Sequence, residues 1–144
     1  MVRDALSKDV ETISAMAVNI FTNSKMEELN KEFEEFLQDD NVCLLVKEVD
    51  GNLVGFAHIE LRFDYVEGCE SSPVGYLEGI YIKPNYRNKG YAKELLVVAE
   101  KWAKGKGAKE FASDCELSNT ESLKFHLKLG FKEENRIICF KKNI

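Results

Sequence analysis

Two carboxylates interrupt stretches that are otherwise typical of buried strands, and they are the first candidates for chemistry. Glu78 lies in the middle of "GYLEGIYI", and Asp114 ends "EFASD". A carboxylate in an apolar strand is costly to bury unless it is paired or neutralised, and desolvation makes it a better base. Both residues could bind a cation and take up a proton. The alternatives are that Glu78 faces solvent at a sheet edge and that Asp114 caps the next loop.

A short basic segment, "RNKG" at residues 87–90, precedes an amphipathic helix pattern and follows a strand pattern that Pro84 must end. The first N–H groups of a helix have no intrahelical partner, and the helix dipole favours an anion there. Gly90 lets the backbone approach a ligand closely. Neither GxxxxGK[ST] nor GxGxxG is present. The segment predicts a phosphate-binding turn of another kind, or else a solvated basic loop that caps a helix.

The elements that must position these residues follow from apolar periodicity. The chain has 144 residues, which suits a single domain spanning 1–144. Strands are predicted at residues 2–5, 74–84, 109–117 and 131–142, and two more are predicted on either side of a hairpin turn at Asp50-Gly51. One helix is predicted to begin after an N-cap at Ser7, and three more are predicted at residues 25–40, 88–104 and 119–129. This order predicts an α/β fold, with a mixed, mostly antiparallel central sheet and helices on both faces.

Charge is distributed unevenly along the chain. The net charge is −5, with −11 over residues 1–80 and +6 over residues 81–144. This asymmetry favours two partners of opposite charge, or else surfaces that are patchy by chance. The acidic helix "EELNKEFEEFLQDD" could attract a cationic substrate, although a solvated helix face explains it equally well. Net acidity and the lack of aromatics in the basic stretches argue against nucleic-acid binding.

The remaining composition argues against several other classes of protein. No apolar run is long enough to span a membrane, and the N-terminal residues lack the apolar segment of a signal peptide, so we expect a cytoplasmic protein without a membrane partner. The four cysteines form no CxxC pair, so neither a metal site nor a disulfide framework is predicted. We expect free thiols, with Cys43, Cys115 and Cys139 buried in or beside strands and Cys69 in a loop.

Two motifs resemble the signatures of one superfamily. "RNKGYA" fits R-x-x-G-x-A and resembles the acetyl-CoA-binding motif of the GCN5-related N-acetyltransferases, and "NTESLKFHLKLGF" resembles their second signature. The resemblance implies this superfamily's fold and acetyl-CoA as co-substrate. It places the pantetheine arm on the strand backbone and the pyrophosphate on the basic turn, with two further residues near the cofactor's other side. The residues so implied are Ile80, Tyr81, Ile82, Arg87, Asn88, Lys89, Gly90, Tyr91, Ala92, Asn119 and Ser122.

Residues 55–142 are similar to one subgroup in particular, the aminoglycoside 6′-N-acetyltransferases, through "DYVEGCESSPVGYLEGIYIKPNYRNKGYA" and "EFASDCELSNTESLKFHLKLGF". The first 40 residues match poorly. This resemblance implies acetyl transfer to a primary amine of a small cationic molecule, with an aminoglycoside 6′-amine as the leading acceptor. Polyamines, metabolite amines and protein amines are rival acceptors, and a non-catalytic acyl-CoA-binding module is the rival class. The resemblance also implies a homodimer with the C-terminal strands near the interface.

The subgroup resemblance assigns roles to five side chains. Glu78 would bind the acceptor amine and act as general base, and Asp114 would contact the cationic acceptor. Tyr65 and Glu134 would line the pocket, although an exposed turn is an alternative for Glu134. His126 stands where many members place a tyrosine that protonates the leaving thiolate. A thiol with a pKa near ~8.5 hardly needs an acid, so His126 is either catalytic or structural.

Overall fold

The computed structural model describes residues 1–144 and contains one five-stranded sheet. The strands are β1 (Val2–Asp4), β2 (Val42–Val49), β3 (Asn52–Arg62), β4 (Val74–Ile82) and β5 (Phe111–Ala112), in the spatial order β1-β2-β3-β4-β5. The first three pairings are antiparallel, and β4 pairs with β5 in parallel. The predicted mixed, mostly antiparallel sheet is confirmed.

The structure has four helices, which are α1 (Val10–Ala17), α2 (Met26–Phe36), α3 (Tyr91–Gly105) and α4 (Thr120–Lys128). Of these, α1 and α2 pack on one face of the sheet and α3 on the other. Side chains alternate between the faces of a strand, and the core follows that alternation. Val46 and Phe56 belong to the cluster under α1 and α2, whereas their neighbours Leu45 and Ala57 belong to the cluster under α3. The prediction of helices on both faces is also confirmed.

The hairpin between β2 and β3 turns at Asp50-Gly51, as predicted. Both residues have positive φ angles, 51° and 78°. That combination is typical of the tight turn whose twist matches two antiparallel strands.

The N-cap predicted at Ser7 is wrong. Ser7 lies inside a short 3₁₀ turn, Ser7–Asp9, and its hydroxyl donates to Glu34 of α2 at 2.7 Å. Asp9 supplies the capping carboxylate instead, because its Oδ2 accepts the Leu6 N–H at 2.8 Å. A sequence pattern does not distinguish two candidate caps that lie two residues apart.

Two predicted boundaries also shift. The helix predicted from residue 88 begins at Tyr91, because Asn88 and Gly90 adopt φ angles of 62° and 83° and cannot continue a right-handed helix. The strand predicted over 109–117 pairs only at Phe111 and Ala112. Beyond Ala112 the chain diverges from β4.

The final strand predicted over 131–142 does not form. Residues 131–144 carry no regular secondary structure. Ile138 and Phe140 are 80% and 89% exposed. A strand is stable only when its N–H and C=O groups pair with a neighbour, and no strand of the same chain pairs with this segment.

All four cysteines are free thiols, as expected, but only Cys43 is buried. Burial raises the pKa of the Cys43 thiol to about 12. Cys115 and Cys139 are exposed, so the prediction that they are buried is wrong. Their flanking segments do not join the sheet. No helix combines the length and the apolar character required to cross a membrane.

Candidate active site

Glu78 occupies an irregularity in the pairing of β3 with β4. His58 pairs with Gly79 and Ile59 pairs with Leu77, so Glu78 has no residue opposite it. Such a bulge inserts one extra, unpaired residue and disrupts the ladder locally. The side chain of Glu78 is 19% exposed, so its carboxylate is largely enclosed without being sealed from solvent.

A gap opens between β4 and β5 beside this bulge. The two strands pair only at Gly75–Phe111 and Tyr76–Ala112. From Leu77 to Ile82, β4 therefore has no strand on that side, and its edge can offer N–H and C=O groups to a ligand. The predicted pantetheine-binding residues, Ile80, Tyr81 and Ile82, all lie on this stretch.

Arg62 neutralises Glu78 in this structure. Its Nη2 donates to Oε1 of Glu78 at 2.7 Å, and its Nε donates to Oε2 at 3.0 Å. This is the two-pronged geometry that a guanidinium makes with a carboxylate. Each group stabilises the charge on the other, and the ion pair raises the pKa of Arg62.

Asp114 belongs to the same network through Tyr76. The Arg62 guanidinium carbon lies 3.4 Å from the centroid of the Tyr76 ring. The Tyr76 hydroxyl donates to Oδ2 of Asp114 across the parallel pair of strands. Burial raises the pKa of Tyr76, and the bond to Asp114 raises it further, so the phenol remains a neutral donor. The two predicted carboxylates are therefore linked through one guanidinium and one phenol.

A groove of about 180 Å³ lies between α2 and the sheet, with Glu78 in its wall. Aromatic rings of Phe21, Phe33 and Phe36 line it, and Glu32 of α2 adds a second carboxylate. No lysine or arginine lines it. Ring faces and carboxylates both attract cations, so the groove suits a cationic ligand.

The basic turn presents the open N-terminus of α3. Gly90 is the N-cap, and no side chain bonds to the N–H groups of the first turn. A Cβ placed on Gly90 would meet no atom within 4 Å, so space above the turn is free. The helix has 15 residues, and its dipole favours an anion at this end. This geometry supports the predicted phosphate-binding turn.

The Arg87 side chain folds back toward the strand. Its Nε donates to the Ile82 carbonyl at 2.8 Å, and its guanidinium lies 5.3 Å from the Tyr81 ring. The guanidinium therefore holds the turn against the end of β4 while adding positive charge near α3. Lys89 is exposed beside it.

The other predicted cofactor residues lie at the start of α4. Asn119 is the N-cap, and its side-chain oxygen accepts the Ser122 N–H at 3.1 Å. The Ser122 carbonyl lies 2.7 Å from Nδ1 of His126. Because a carbonyl can only accept, Nδ1 carries a proton and donates it to this carbonyl. Ser113 Oγ lies 2.8 Å from Nε2 of the same ring and 3.2 Å from the Leu77 carbonyl, so this group spans the gap between α4 and β4.

The two remaining predicted residues lie near the loop of residues 63–73. Tyr65 is 77% exposed. Glu134 lies against Gly68, where an added Cβ would come within 2.7 Å of its Cβ. The neighbouring Asn135 donates to Glu67 of the same loop at 2.5 Å. These contacts bring Glu134 to the loop that contains Tyr65.

Three residues of this site were not predicted from the sequence: Arg62, Tyr76 and Ser113. Arg62 and Tyr76 lie on the same face as Glu78, and the spacing of two residues between Tyr76 and Glu78 was the available signal. The partner of Arg62 depends on the register of β3 with β4, which the sequence leaves open. Nowhere in the structure do three His, Cys, Asp or Glu side chains lie close enough together to bind a metal ion.

The fold, the bulged strand and the open helix N-terminus define an acyl-CoA-dependent N-acyltransferase. The profile of the "Acetyltransferase (GNAT) family" matches residues 10–131, and the chain belongs to that family. The predicted family and the predicted N-acetyltransferase activity with acetyl-CoA are confirmed.

Two bacterial relatives of this chain share one name. The aminoglycoside N(6′)-acetyltransferase type 1 of Salmonella typhimurium is 45% identical over 109 residues, which cover 76% of this chain and 75% of the relative. The enzyme of the same name from Serratia marcescens is 37% identical over 131 residues, which cover 90% of each chain.

Solved structures of aminoglycoside 6′-acetyltransferases have the same fold as this chain. AAC(6′)-Iy in complex with the bisubstrate analogue CoA-S-monomethyl-acetylneamine has a TM-score of 0.94 and 35% identity, over 100% of this chain and 98% of the other. AAC(6′)-Iy has also been solved with CoA. The apo AAC(6′)-Ig of Acinetobacter haemolyticus has a TM-score of 0.93 and 31% identity, over 100% of this chain and 99% of the other.

Proposed function

We propose that this acetyltransferase transfers the acetyl group of acetyl-CoA to the 6′-amine of aminoglycosides. The observation that carries the proposal is the position of Glu78. It lies on the bulge of β4, between the acidic, aromatic groove on one side and the unpaired edge of β4 on the other. A cationic amine held in the groove would lie beside a thioester held along that edge. The acceptors named for the relatives described above support the same choice.

The cofactor would be held in three places. The edge of β4 from Ile80 to Ile82 would bond the pantetheine amides. The first turn of α3, with Arg87 through Ala92, would bind the pyrophosphate through backbone N–H groups and nearby positive charge. Asn119 and Ser122 would border the cofactor from α4. Acetyl-CoA supplies the activated acetyl group when it is bound.

Glu78 and Asp114 would carry the chemistry of the acceptor. Glu78 would accept a proton from the acceptor's ammonium group, directly or through water, and the neutral amine then attacks the acetyl carbonyl carbon. Backbone N–H groups of β4 would stabilise the negative charge that develops on the carbonyl oxygen. The carbon–sulfur bond would then break, and the attacking nitrogen would lose its second proton, which the leaving thiolate takes up through water, so that an amide and the free thiol of CoA remain. Asp114, Tyr65 and Glu134 would contact other parts of the cationic acceptor.

We assign His126 to positioning, because both ring nitrogens are already occupied. Nδ1 is used by the Ser122 carbonyl and Nε2 by Ser113. The ring also packs 5.3 Å from the Phe131 ring. These contacts fix α4 against the open edge of β4, where the cofactor would enter.

The function is tested by the release of thiol from acetyl-CoA in the presence of several acceptors. The acceptors are a 6′-amino aminoglycoside, its 6′-hydroxyl counterpart, spermidine, a lysine peptide and a blank. We expect release with the 6′-amine alone, since only that acceptor places a primary amine at the correct position. Equal release with the 6′-hydroxyl compound would move the reaction to another amine. Release with spermidine or the peptide alone would contradict the proposed acceptor.

We further propose that the protein is a cytoplasmic, single-domain homodimer. The C-terminal segment supports the dimer, because it has a strand-like sequence, no partner within the chain, and exposed apolar side chains at Ile138 and Phe140. Pairing with a second copy would satisfy its backbone and bury these side chains. We expect light scattering to give twice the chain mass and Ile138→Asp to give the monomer mass, while the control Lys142→Asp remains dimeric. A monomeric wild-type protein would contradict the proposal.

A further inference from the structure

Arg62 occupies the place that the proposed mechanism reserves for the acceptor's amine. Its guanidinium bonds both oxygens of Glu78, at 2.7 and 3.0 Å, so an ammonium group can take the same position only after Arg62 has moved. The side chain reaches Glu78 from the end of β3 by lying across the face of Tyr76. The groove that contains Glu78 has no lysine or arginine in its lining, so this positive charge enters from outside the groove.

The exposure of the Arg62–Glu78 ion pair allows another cation to replace the guanidinium. The Arg62 side chain is 43% exposed and Glu78 is 19% exposed. An ion pair whose arginine is partly exposed contributes little net stability, because solvent screens the charges and the side chains lose freedom on pairing. Another cation that reaches Glu78 can therefore replace the guanidinium at small cost, while Arg62 swings towards solvent.

We propose that Arg62 is a displaceable internal cation that holds Glu78 in the free enzyme and that every cationic acceptor must displace, so that only an acceptor with further contacts binds tightly. This inference rests on the proposed function, because it takes Glu78 as the site of the acceptor amine. An amine with a single charge exchanges one cation for another at Glu78 and gains little. A polycation makes the same exchange but adds contacts with Asp114, Glu32 and the acidic face of α2, and so it displaces Arg62 effectively.

The test replaces the guanidinium with a neutral side chain, Arg62→Gln, and uses two acceptors. Kanamycin is the polycation, and cyclohexylmethylamine is an amine with a single charge. Calorimetry measures the Kd of each without acetyl-CoA, and steady-state kinetics separates KM from kcat. We expect Arg62→Gln to bind both acceptors about three- to fivefold more tightly and by a similar factor, because each must displace the same guanidinium. The gain should appear in KM rather than in kcat. The control Lys104→Gln removes an exposed positive charge at the far end of α3 and should change neither Kd.

A weaker affinity for both acceptors, or a loss of kcat at unchanged KM, would overturn the inference, because Arg62 would then orient Glu78 for catalysis. Unchanged affinity would overturn it as well. If circular dichroism shows that Arg62→Gln does not fold, Arg62→Lys takes its place. Lysine keeps the charge but loses the two-pronged bond, so the change should have the same direction and a smaller size; the opposite direction overturns the inference.

The outcomes for the two proposals can be separated. Acetylation of kanamycin by the wild-type enzyme, with no change of affinity in Arg62→Gln, supports the proposed function and removes only the displaceable cation. Absence of acetylation, with tighter binding of the single amine in Arg62→Gln, removes the aminoglycoside as acceptor. Under that outcome, Arg62 still competes with other cations for binding to Glu78.

Discussion

Ser113 Oγ lies 2.8 Å from Nε2 of His126, and this contact connects the residue that follows β5 to α4. The same hydroxyl lies 3.2 Å from the Leu77 carbonyl. The hydroxyl has one proton, which it donates to the Leu77 carbonyl, and two lone pairs, so this one group makes both contacts. The arrangement holds three elements around the proposed cofactor entrance.

The first prediction concerns this contact. His126→Gln should lower the free energy of unfolding by about 1–3 kcal/mol, because Ser113 and the Ser122 carbonyl lose well-placed partners. We expect kcat to fall by less than about tenfold and the pH profile of kcat to keep its shape, as for a positioning residue. Denaturant unfolding and a pH series measure both. Ser113→Ala should behave similarly. A kcat loss of more than about 100-fold with an altered pH profile would assign proton transfer to His126 instead.

The second prediction tests the base. Glu78→Gln keeps the size of the side chain but removes its charge and its basicity, so kcat should fall by at least about 100-fold. The Kd for acetyl-CoA should change by less than about threefold, since the proposed cofactor contacts lie elsewhere. Thiol release and calorimetry measure the two quantities. Glu100→Gln, an exposed carboxylate on α3, is the matched control and should leave kcat unchanged. Normal turnover in Glu78→Gln would remove Glu78 from the mechanism.

The third prediction compares two glycines of the cofactor helix. A Cβ has open space at both Gly90 and Gly105, but only Gly90 has a positive φ, 83°. Gly90→Ala should cost about 1–2 kcal/mol of stability and weaken acetyl-CoA binding at least about tenfold, because the turn must rearrange. Gly105→Ala should be neutral or stabilise by up to about 1 kcal/mol. Thermal unfolding and calorimetry provide the comparison. Equal affinities in the two variants would contradict the phosphate-binding role of the turn.

The fourth prediction concerns acid stability. Arg3 donates to both carboxylate oxygens of Asp9, at 2.7 and 3.1 Å, and this holds the pKa of Asp9 below its ordinary value of 3.8. The ion pair therefore stabilises the fold above that value, and the contribution is lost as the pH falls through the lower, folded-state pKa. Asp9→Asn should lower the free energy of unfolding by about 2–3 kcal/mol near neutral pH.

The difference between wild type and Asp9→Asn should shrink as the pH falls from about 4 towards 2, because the wild-type carboxylate becomes protonated. Urea unfolding at a series of pH values measures it. Asp40→Asn, which changes an exposed carboxylate, should show no such convergence. A difference that stays constant with pH would show that the stability of this corner does not depend on the charge of Asp9.

Several features that depend only on neighbouring residues in sequence were predicted correctly, although the N-cap at Ser7 and the start of α3 were not. Asp50-Gly51 specifies its own tight turn, and the apolar spacing of α3 needs no distant partner to be recognised. The basic turn with Gly90 could be identified for the same reason. Glu78 could be identified because a carboxylate in an apolar strand is unusual whatever lies opposite to it.

The errors occur where a distant partner decides the outcome. The segment 131–142 alternates like a strand, but a strand forms only when a second strand pairs with it. Cys115 and Cys139 were expected to be buried in strands that the sheet does not include. At the N-terminus, the Asp9 carboxylate accepts both the Leu6 N–H and the guanidinium of Arg3, and this second partner lies on β1.

The sequence by itself determined the family, the order of the elements as far as α4 and the positions of the two carboxylates, because motifs and apolar periodicity depend only on residues that are close in sequence. Only the tertiary structure decided what those carboxylates contact. Arg62 and Glu78 are 16 residues apart, and Tyr76 and Asp114 are 38 apart. The register of β3 with β4 and the two-residue pairing of β4 with β5 bring these groups together. Register is set by the packing of whole strands, so no local pattern in the chain could specify that an arginine lies on the proposed base.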